Sequence, residues 1–237
     1  MRTFLSLAIS TLLLSGGTVA AQLEDVTKRL GLGDKTQLSS EKVASGLKEA
    51  LKIGTGNAVG LTGKTDGYFM NEAIKILMPE KLAAVEKGLR TIGYGPQIDE
   101  FVLSMNRAAE KAAPAAKEII WGAVKEMSFE DARKILAGGE TAATDYFKEK
   151  TTGRLTETFR PVVEKSMDEV GVTRQYNALV GRAQSLPFVK VPSLDLNQYV
   201  VGKALDGLFL MIAEEERKIR KDPAARVTAL LKEVFAK

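Results

Sequence analysis

Apolar residues recur at helical spacing along the segment from Pro96 to Met127. Residues that share this spacing are Ile98, Phe101, Val102, Met105, Ala109, Ala112, Ala116, Ile119, Ile120, Ala123, Val124 and Met127. Such spacing places them on one face of a helix and predicts that this face packs into a core. Pro114 interrupts the segment, and we expect a kink or break there because proline lacks an amide N–H and clashes with the preceding turn. The pattern predicts a long central helix that begins at Pro96.

A second long helix is predicted from about Leu194, because residues 207–213 are apolar on every side, as in a helix buried in a core. Shorter helices are expected over 23–30, 39–51, 68–77, 79–92, 128–137, 141–150, 155–169 and 174–184, and after Asp222. Residues 186–192 contain two prolines and predict an extended strap. A flexible loop is expected at Gly54, Gly56, Gly60, Gly63 and Gly67. We therefore predict an all-α fold, a single multi-helix domain over residues 22–237 packed around two long central helices.

The first 21 residues have the order of an export signal. Arg2 supplies a positive charge, residues 4–14 form a short apolar run, and small residues end at Ala21. The apolar run is too short to cross a bilayer, which takes about 20 residues. We predict that residues 1–21 are a signal peptide cleaved near Ala21 and that the mature protein is periplasmic or secreted. The alternative is a buried N-terminal helix or a membrane anchor, which the flanking residues disfavour.

Composition removes several classes of function. The chain has no cysteine and no histidine, so disulfides, a lipid-modified cysteine, histidine-based triads and histidine-containing zinc sites are excluded. Its 34 Lys and Arg residues are interleaved with 30 Asp and Glu residues, without the concentrated positive surface of a nucleic-acid-binding protein. We expect no nucleic-acid partner, no stable membrane anchor, no metal and no catalytic residue. Enzymatic chemistry would have to rest on paired carboxylates.

Two further patterns favour ordinary structure over a site. Residues 58–65 come close to a phosphate-binding loop, but Ala58 stands at its first glycine and no strand precedes it, so we expect no cofactor. Glu214 and Glu216 each lie four residues before a basic residue and, with Glu215 between them, predict a solvated face of ion pairs. Ordinary core, rather than a ligand cavity, is expected around Met105, Met127, Met211, Phe209 and Trp121.

Four polar residues flank the apolar face of the Pro96 helix: Asp99, Asn106, Glu110 and Lys117. Their spacing places them on one side of a helix, at the border between core and solvent. Such a stripe either forms a hydrogen-bonded seam with a neighbouring helix or meets the head group of a ligand. They are the candidate ligand-binding or partner-binding residues.

Three stretches are similar to a known bacterial family. They are residues 99–101 with 105–110, residues 142–147, and residues 205–209. Together they resemble the family called domain of unknown function 4197, over nearly all of the mature chain. This resemblance implies a secreted or periplasmic helical protein of a Gram-negative bacterium. It supplies no activity, cofactor or catalytic residue.

Three hypotheses for the function follow. The first is a non-catalytic periplasmic protein that binds or carries an apolar small molecule such as a lipid, in a cavity between helices. The second is an interaction or scaffold module for another protein of the cell envelope. The third, least favoured, is a hydrolase of envelope sugars that uses two carboxylates in a cleft.

Overall fold

A computed structural model describes residues 40–169, 171–184 and 193–222, and residues 225, 226, 228 and 232. The predicted signal peptide, the predicted helix at 23–30, the strap at 186–192 and most of the final helix lie outside these residues.

The described residues form one all-α domain, which confirms the predicted fold class. Its helices are α1 (Ser40–Thr62), α2 (Ala83–Thr91), α3 (Gly95–Ala112), α4 (Ala116–Glu126), α5 (Phe129–Ala137), α6 (Ala142–Glu169), α7 (Val172–Gln184) and α8 (Leu196–Lys221). Short 3₁₀ turns lie at Glu80–Leu82 and Ala113–Ala115. Among the described helices, none is long and apolar enough to cross a membrane.

The predicted long helix at Pro96 is confirmed as α3 and α4, joined by a 3₁₀ turn at Pro114. Its predicted apolar face is buried, apart from the partly buried Ile119. The predicted second long helix is α8, which packs against α6 and α1, while α3 packs against α6, α7 and α8. Local interactions define other helix ends. Ser128 and Asp131 form a capping box at the start of α5, and Gly93 follows α2 with a φ of 88°.

The prediction of separate helices over 141–150 and 155–169 is wrong, because α6 runs through Gly153 and Pro161 as one helix of 28 residues. Six buried residues spaced four apart form one continuous stripe along it: Phe147, Thr151, Leu155, Phe159, Val163 and Met167. Burial of this stripe outweighs the loss of about 1 kcal/mol that a glycine costs inside a helix.

The predicted glycine loop is also wrong in its first part, because α1 continues through Gly54, Gly56 and Gly60. A Cβ on Gly54 would lie 3.3 Å from the Cδ1 of Ile219 on α8. Gly54 therefore allows α1 and α8 to approach closely, and it is a packing residue rather than a break.

The predicted helix over 68–77 is absent, and these residues form turns followed by a stretch without regular secondary structure over 75–79. We call residues 63–79, which connect α1 to the first 3₁₀ turn, the linker. Some of its main-chain groups bond to one another in turns, such as the N–H of Lys75 to the carbonyl oxygen of Asn71 at 2.8 Å. Others bond to side chains of α3, as described below.

The predicted solvated face at Glu214, Glu215 and Glu216 is wrong for two of the three residues. Glu215 and Glu216 are 7% and 5% exposed. Glu216 accepts hydrogen bonds from the main-chain N–H groups of Ala143 (3.0 Å) and Thr144 (2.9 Å) at the start of α6. It also forms the predicted ion pair with Arg220 at 2.9 Å. This buried carboxylate caps α6 from another helix, so it stabilises the interior of the fold.

Candidate functional site

Asn106 holds the linker against α3. This side chain is fully buried, and its Oδ1 accepts a hydrogen bond from the N–H of Ile76 at 2.8 Å. Its Nδ2 donates to the carbonyl oxygens of Ile76 and Val102, both at 2.8 Å. The Asn106 amide thus pairs with both main-chain groups of Ile76 as a neighbouring β-strand would. This pairing fixes the backbone of the linker at Ile76.

Glu110, one helical turn further along α3, holds the start of the linker. Its buried carboxylate accepts hydrogen bonds from the N–H groups of Tyr68 and Phe69, each at 3.1 Å. Arg107 donates to Glu110 at 2.6 Å and to Asp66 at 2.7 Å, and the bond to Glu110 raises the pKa of Arg107. These charge-assisted bonds satisfy the buried carboxylate within the fold.

Tyr68 connects the linker to α8. Its hydroxyl donates to the carbonyl oxygen of Ala204 at 2.6 Å, and its ring lies so close to Gly207 that a Cβ there would be 2.7 Å from Cε1. Burial, reinforced by the negative charge of Glu110, raises the pKa of Tyr68 far above the value of free tyrosine. The phenol therefore stays neutral and serves as a structural donor.

An open groove of about 650 Å³ lies between the end of the linker and the first turns of α8. We refer to it below as the groove. One wall is residues 75–81, and the other is residues 193–203. The hydroxyl of Tyr199 donates to the carbonyl oxygen of Leu77 at 3.0 Å and so ties the two walls together. The Leu77 side chain is 58% exposed, so a large apolar side chain faces solvent in the groove.

Charged side chains of both signs surround the apolar part of the groove. Lys75, Lys81 and Lys203 line it together with Glu80 and Asp195. Asp195 is the N-cap of α8, and its carboxylate accepts the N–H of Gln198 at 2.9 Å. Partial burial, and the negative charge of Glu80 to a smaller extent, raise the pKa of Tyr199.

The structure brings two of the four candidate residues together at the linker and leaves the other two apart. Asn106 and Glu110 hold adjacent parts of the linker through their own hydrogen bonds. Asp99 lies at the surface, 2.8 Å from Arg90. Lys117 is exposed, with its Nζ 4.5 Å from the centre of the Trp121 ring. Asn106 therefore positions a wall of the groove without lining it, and Glu110 holds the start of the linker outside the groove.

Sequence reasoning missed the groove because it assigned residues 68–77 to a helix. The residue before a proline is disfavoured in helical conformation, and Met78 precedes Pro79, but this signal only ends a helix by residue 77 and does not exclude one over 68–77. Within the described ranges, no group of three or more acidic side chains is arranged to hold a metal ion.

The family model described as "Protein of unknown function (DUF4197)" matches residues 37–236. The chain belongs to the DUF4197 family. No curated protein and no solved structure matches it. The stretches on which the DUF4197 resemblance rests contain residues that make contacts described above. Asn106 and Glu110 bond to the linker. Thr144 donates its N–H to Glu216, and Gly207 packs against the ring of Tyr68. In this chain, those stretches hold the core and the wall of the groove together.

Proposed function

We propose that this protein is a non-catalytic binding protein of the cell envelope that holds an apolar or amphiphilic small molecule, such as a lipid, in the groove. The observation that carries this proposal is the exposed Leu77 in an open groove of about 650 Å³. Pockets for small molecules have volumes of about 300–1,000 Å³ and combine an apolar lining with a few polar groups. The mixed lining of the groove supports a ligand with one apolar part and one polar part.

The apolar part of the groove sets the size of ligand to expect. Leu77 and Leu194 provide aliphatic contact surface, and Tyr199 adds an aromatic ring. Burial of one methylene group contributes about 0.8 kcal/mol, and a micromolar Kd corresponds to about 8 kcal/mol. An alkyl chain of about ten carbons or more is therefore needed for micromolar binding, before the entropic cost of association is counted.

Envelope location is part of the same proposal and rests on the pattern of residues 1–21. It is tested by fractionation of Gram-negative cells that express either the full chain or a chain without residues 2–21. We expect the full chain to appear in the periplasmic fraction, with the mass of a protein whose first residue is Gln22. The truncated chain should remain in the cytoplasm. Recovery of uncleaved full chain in the cytoplasm would refute the location.

Binding is tested with the neutral fluorescent probe N-phenyl-1-naphthylamine, titrated into the mature protein and two variants. Leu77→Asp places a charge on the groove, whereas Ile92→Asp is the matched control because Ile92 is 49% exposed and lies outside the groove. We expect Leu77→Asp to weaken binding by a factor of about ten or more, since burying a leucine side chain is worth about 1.5–3 kcal/mol. Ile92→Asp should bind as the unaltered protein does.

The proposal fails if the unaltered protein does not bind the probe, or if both aspartate variants lose binding equally. Native mass spectrometry of protein purified without detergent gives an independent readout. A mass excess that is extracted into organic solvent and is absent from Leu77→Asp supports the proposal.

A second candidate function is docking of another envelope protein at the opposite end of the linker. Met70 is 68% exposed and lines a shallow depression with Leu61 and Met211. A photo-crosslinking amino acid at position 70 should then capture one partner in intact cells, whereas the same amino acid at position 92 should not. Equal labelling from both positions would reject this candidate.

A further inference from the structure

Contacts between the linker and α8 define which residues face each other across the groove. Asn71 donates to the Sδ of Met211 at 3.5 Å, and a Cβ on Gly207 would lie 3.0 Å from the Cβ of Ile74. The hydroxyl of Tyr199 bonds to Leu77. Residue numbers thus rise along the linker as they fall along α8, so the two segments run antiparallel.

This antiparallel order places Lys75 and Lys203 at the same end of the groove. Lys75 lies between Ile74, which faces Gly207, and Leu77, which faces Tyr199. Lys203 lies between Tyr199 and Gly207 on α8, one helical turn from Tyr199, and it lines the same groove. Both lysines therefore line the same end of the groove, and the exposed Leu77 lies next to them towards the middle.

The two ends of the groove differ in charge. Within the described part of the chain, neither Lys75 nor Lys203 forms an ion pair, and the Nζ of Lys75 lies 4.4 Å from the centre of the Phe69 ring. The other end carries both acidic side chains of the groove, Glu80 and Asp195, together with Lys81. The groove is thus positive at the Lys75 and Lys203 end, apolar in the middle, and mixed at the far end.

We infer that the ligand of the groove is an anionic amphiphile whose head group binds between Lys75 and Lys203 and whose alkyl part lies along Leu77 towards Leu194. This inference rests on the proposed function and adds the chemical class and the orientation of the ligand. A lysine ammonium is a compact charge and, unlike the planar guanidinium of arginine, does not require an acceptor of one fixed geometry. The site should therefore accept either a carboxylate or a phosphate monoester.

The test compares dodecyl ligands that share one chain and differ in the head group, by titration calorimetry below their micelle concentrations. Laurate and dodecyl phosphate are the anionic probes, and dodecyl maltoside is the neutral probe. We expect the anionic probes to bind about tenfold more tightly at low salt, as an ammonium–anion contact near a protein surface allows. Because exposed charges are screened by salt, this preference should shrink as the salt concentration rises.

Lys203→Gln removes one ammonium group from the groove, and Lys87→Gln is the matched control on the exposed surface of α2. We expect Lys203→Gln to weaken laurate binding about fivefold to tenfold and to leave dodecyl maltoside unchanged. Lys87→Gln should change neither probe. Combining Lys203→Gln with Lys75→Gln should abolish the preference for an anionic head group.

The outcomes separate this inference from the proposed function. If all three dodecyl probes bind equally in the unaltered protein and Lys203→Gln changes none of them, the inferred head-group site is overturned. Binding of dodecyl maltoside that is lost in Leu77→Asp then still supports the proposed function. If no dodecyl probe binds the unaltered protein, the proposed function fails and the inference fails with it.

Discussion

Replacing Asn106 with alanine tests whether one buried amide holds the linker and the wall of the groove. The change removes three hydrogen bonds, two to Ile76 and one to the carbonyl of Val102. Ile76 is fully buried, so its N–H and C=O would be left without partners. The carbonyl of Val102 keeps its bond within α3.

The magnitude follows from these two unpaired groups. Leaving a buried donor or acceptor unsatisfied costs about 1–3 kcal/mol each, and alanine returns about 0.5 kcal/mol of helix propensity. We therefore expect Asn106→Ala to lower the free energy of unfolding by about 2–5 kcal/mol. That corresponds to a fall in Tm of about 2–4 °C for each kcal/mol in a domain of this size.

The assay is urea unfolding followed by circular dichroism, with Asn177→Ala as the matched control, because Asn177 is an exposed asparagine in α7. The control should change the free energy of unfolding by less than about 0.5 kcal/mol. A loss below about 1 kcal/mol for Asn106→Ala, or one equal to that of the control, would refute the reasoning.

Asn106→Asp separates hydrogen bonding from packing, because aspartate has nearly the same shape. Its second oxygen would face the carbonyl oxygens of Ile76 and Val102, and burial would raise the pKa of the new carboxyl. With a raised pKa, the folded protein binds a proton that the unfolded chain releases, so the stability of Asn106→Asp falls as the pH rises. Relative to the unaltered protein, this variant should be less destabilised at pH 5 than at pH 8. A penalty that does not change with pH would contradict the hydrogen-bond assignment.

Two further predictions concern contacts of α8. Glu216→Ala should lower the free energy of unfolding by about 3–5 kcal/mol, because it removes the carboxylate that pairs with the guanidinium of Arg220 and leaves the N–H groups of Ala143 and Thr144 without a partner. Glu214→Ala is the control at a less buried position, and it should cost under about 0.5 kcal/mol by the same urea assay. Gly207→Ala should cost about 1–3 kcal/mol, since its Cβ would lie 2.7 Å from Tyr68. Gly202→Ala on the same helix meets nothing within 4 Å and should raise thermal stability, so a loss in both variants would point to helix geometry rather than to the Tyr68 contact.

The candidate site was only partly predictable. The spacing of Asn106 and Glu110 predicted either a hydrogen-bonded seam with a neighbouring helix or contact with a ligand head group. In the structure, both side chains bond to the main chain of a non-helical segment. That segment is the linker. Ile76 lies 30 residues from Asn106 in the chain, and Phe69 and Tyr68 lie 41 and 42 residues from Glu110. No local window contains both the buried amide and the backbone that it pairs with.

By itself, the sequence determined the features that depend on neighbours within a turn or two of helix. The buried stripe of α3 and α4, the break at Pro114 and the capping box at Ser128 all follow from side-chain spacing, a missing N–H or a local hydrogen bond. Each of these effects acts between residues no more than four apart.

Tertiary structure decided the features whose free energy comes from distant partners. α6 remains one helix because its stripe is buried, and Glu216 is buried because it caps amides 72 and 73 residues away. The groove exists because Tyr199 meets Leu77 across 122 residues. Local propensity differs between conformations by only about 1 kcal/mol per residue, so burial and hydrogen bonds between distant segments choose among them.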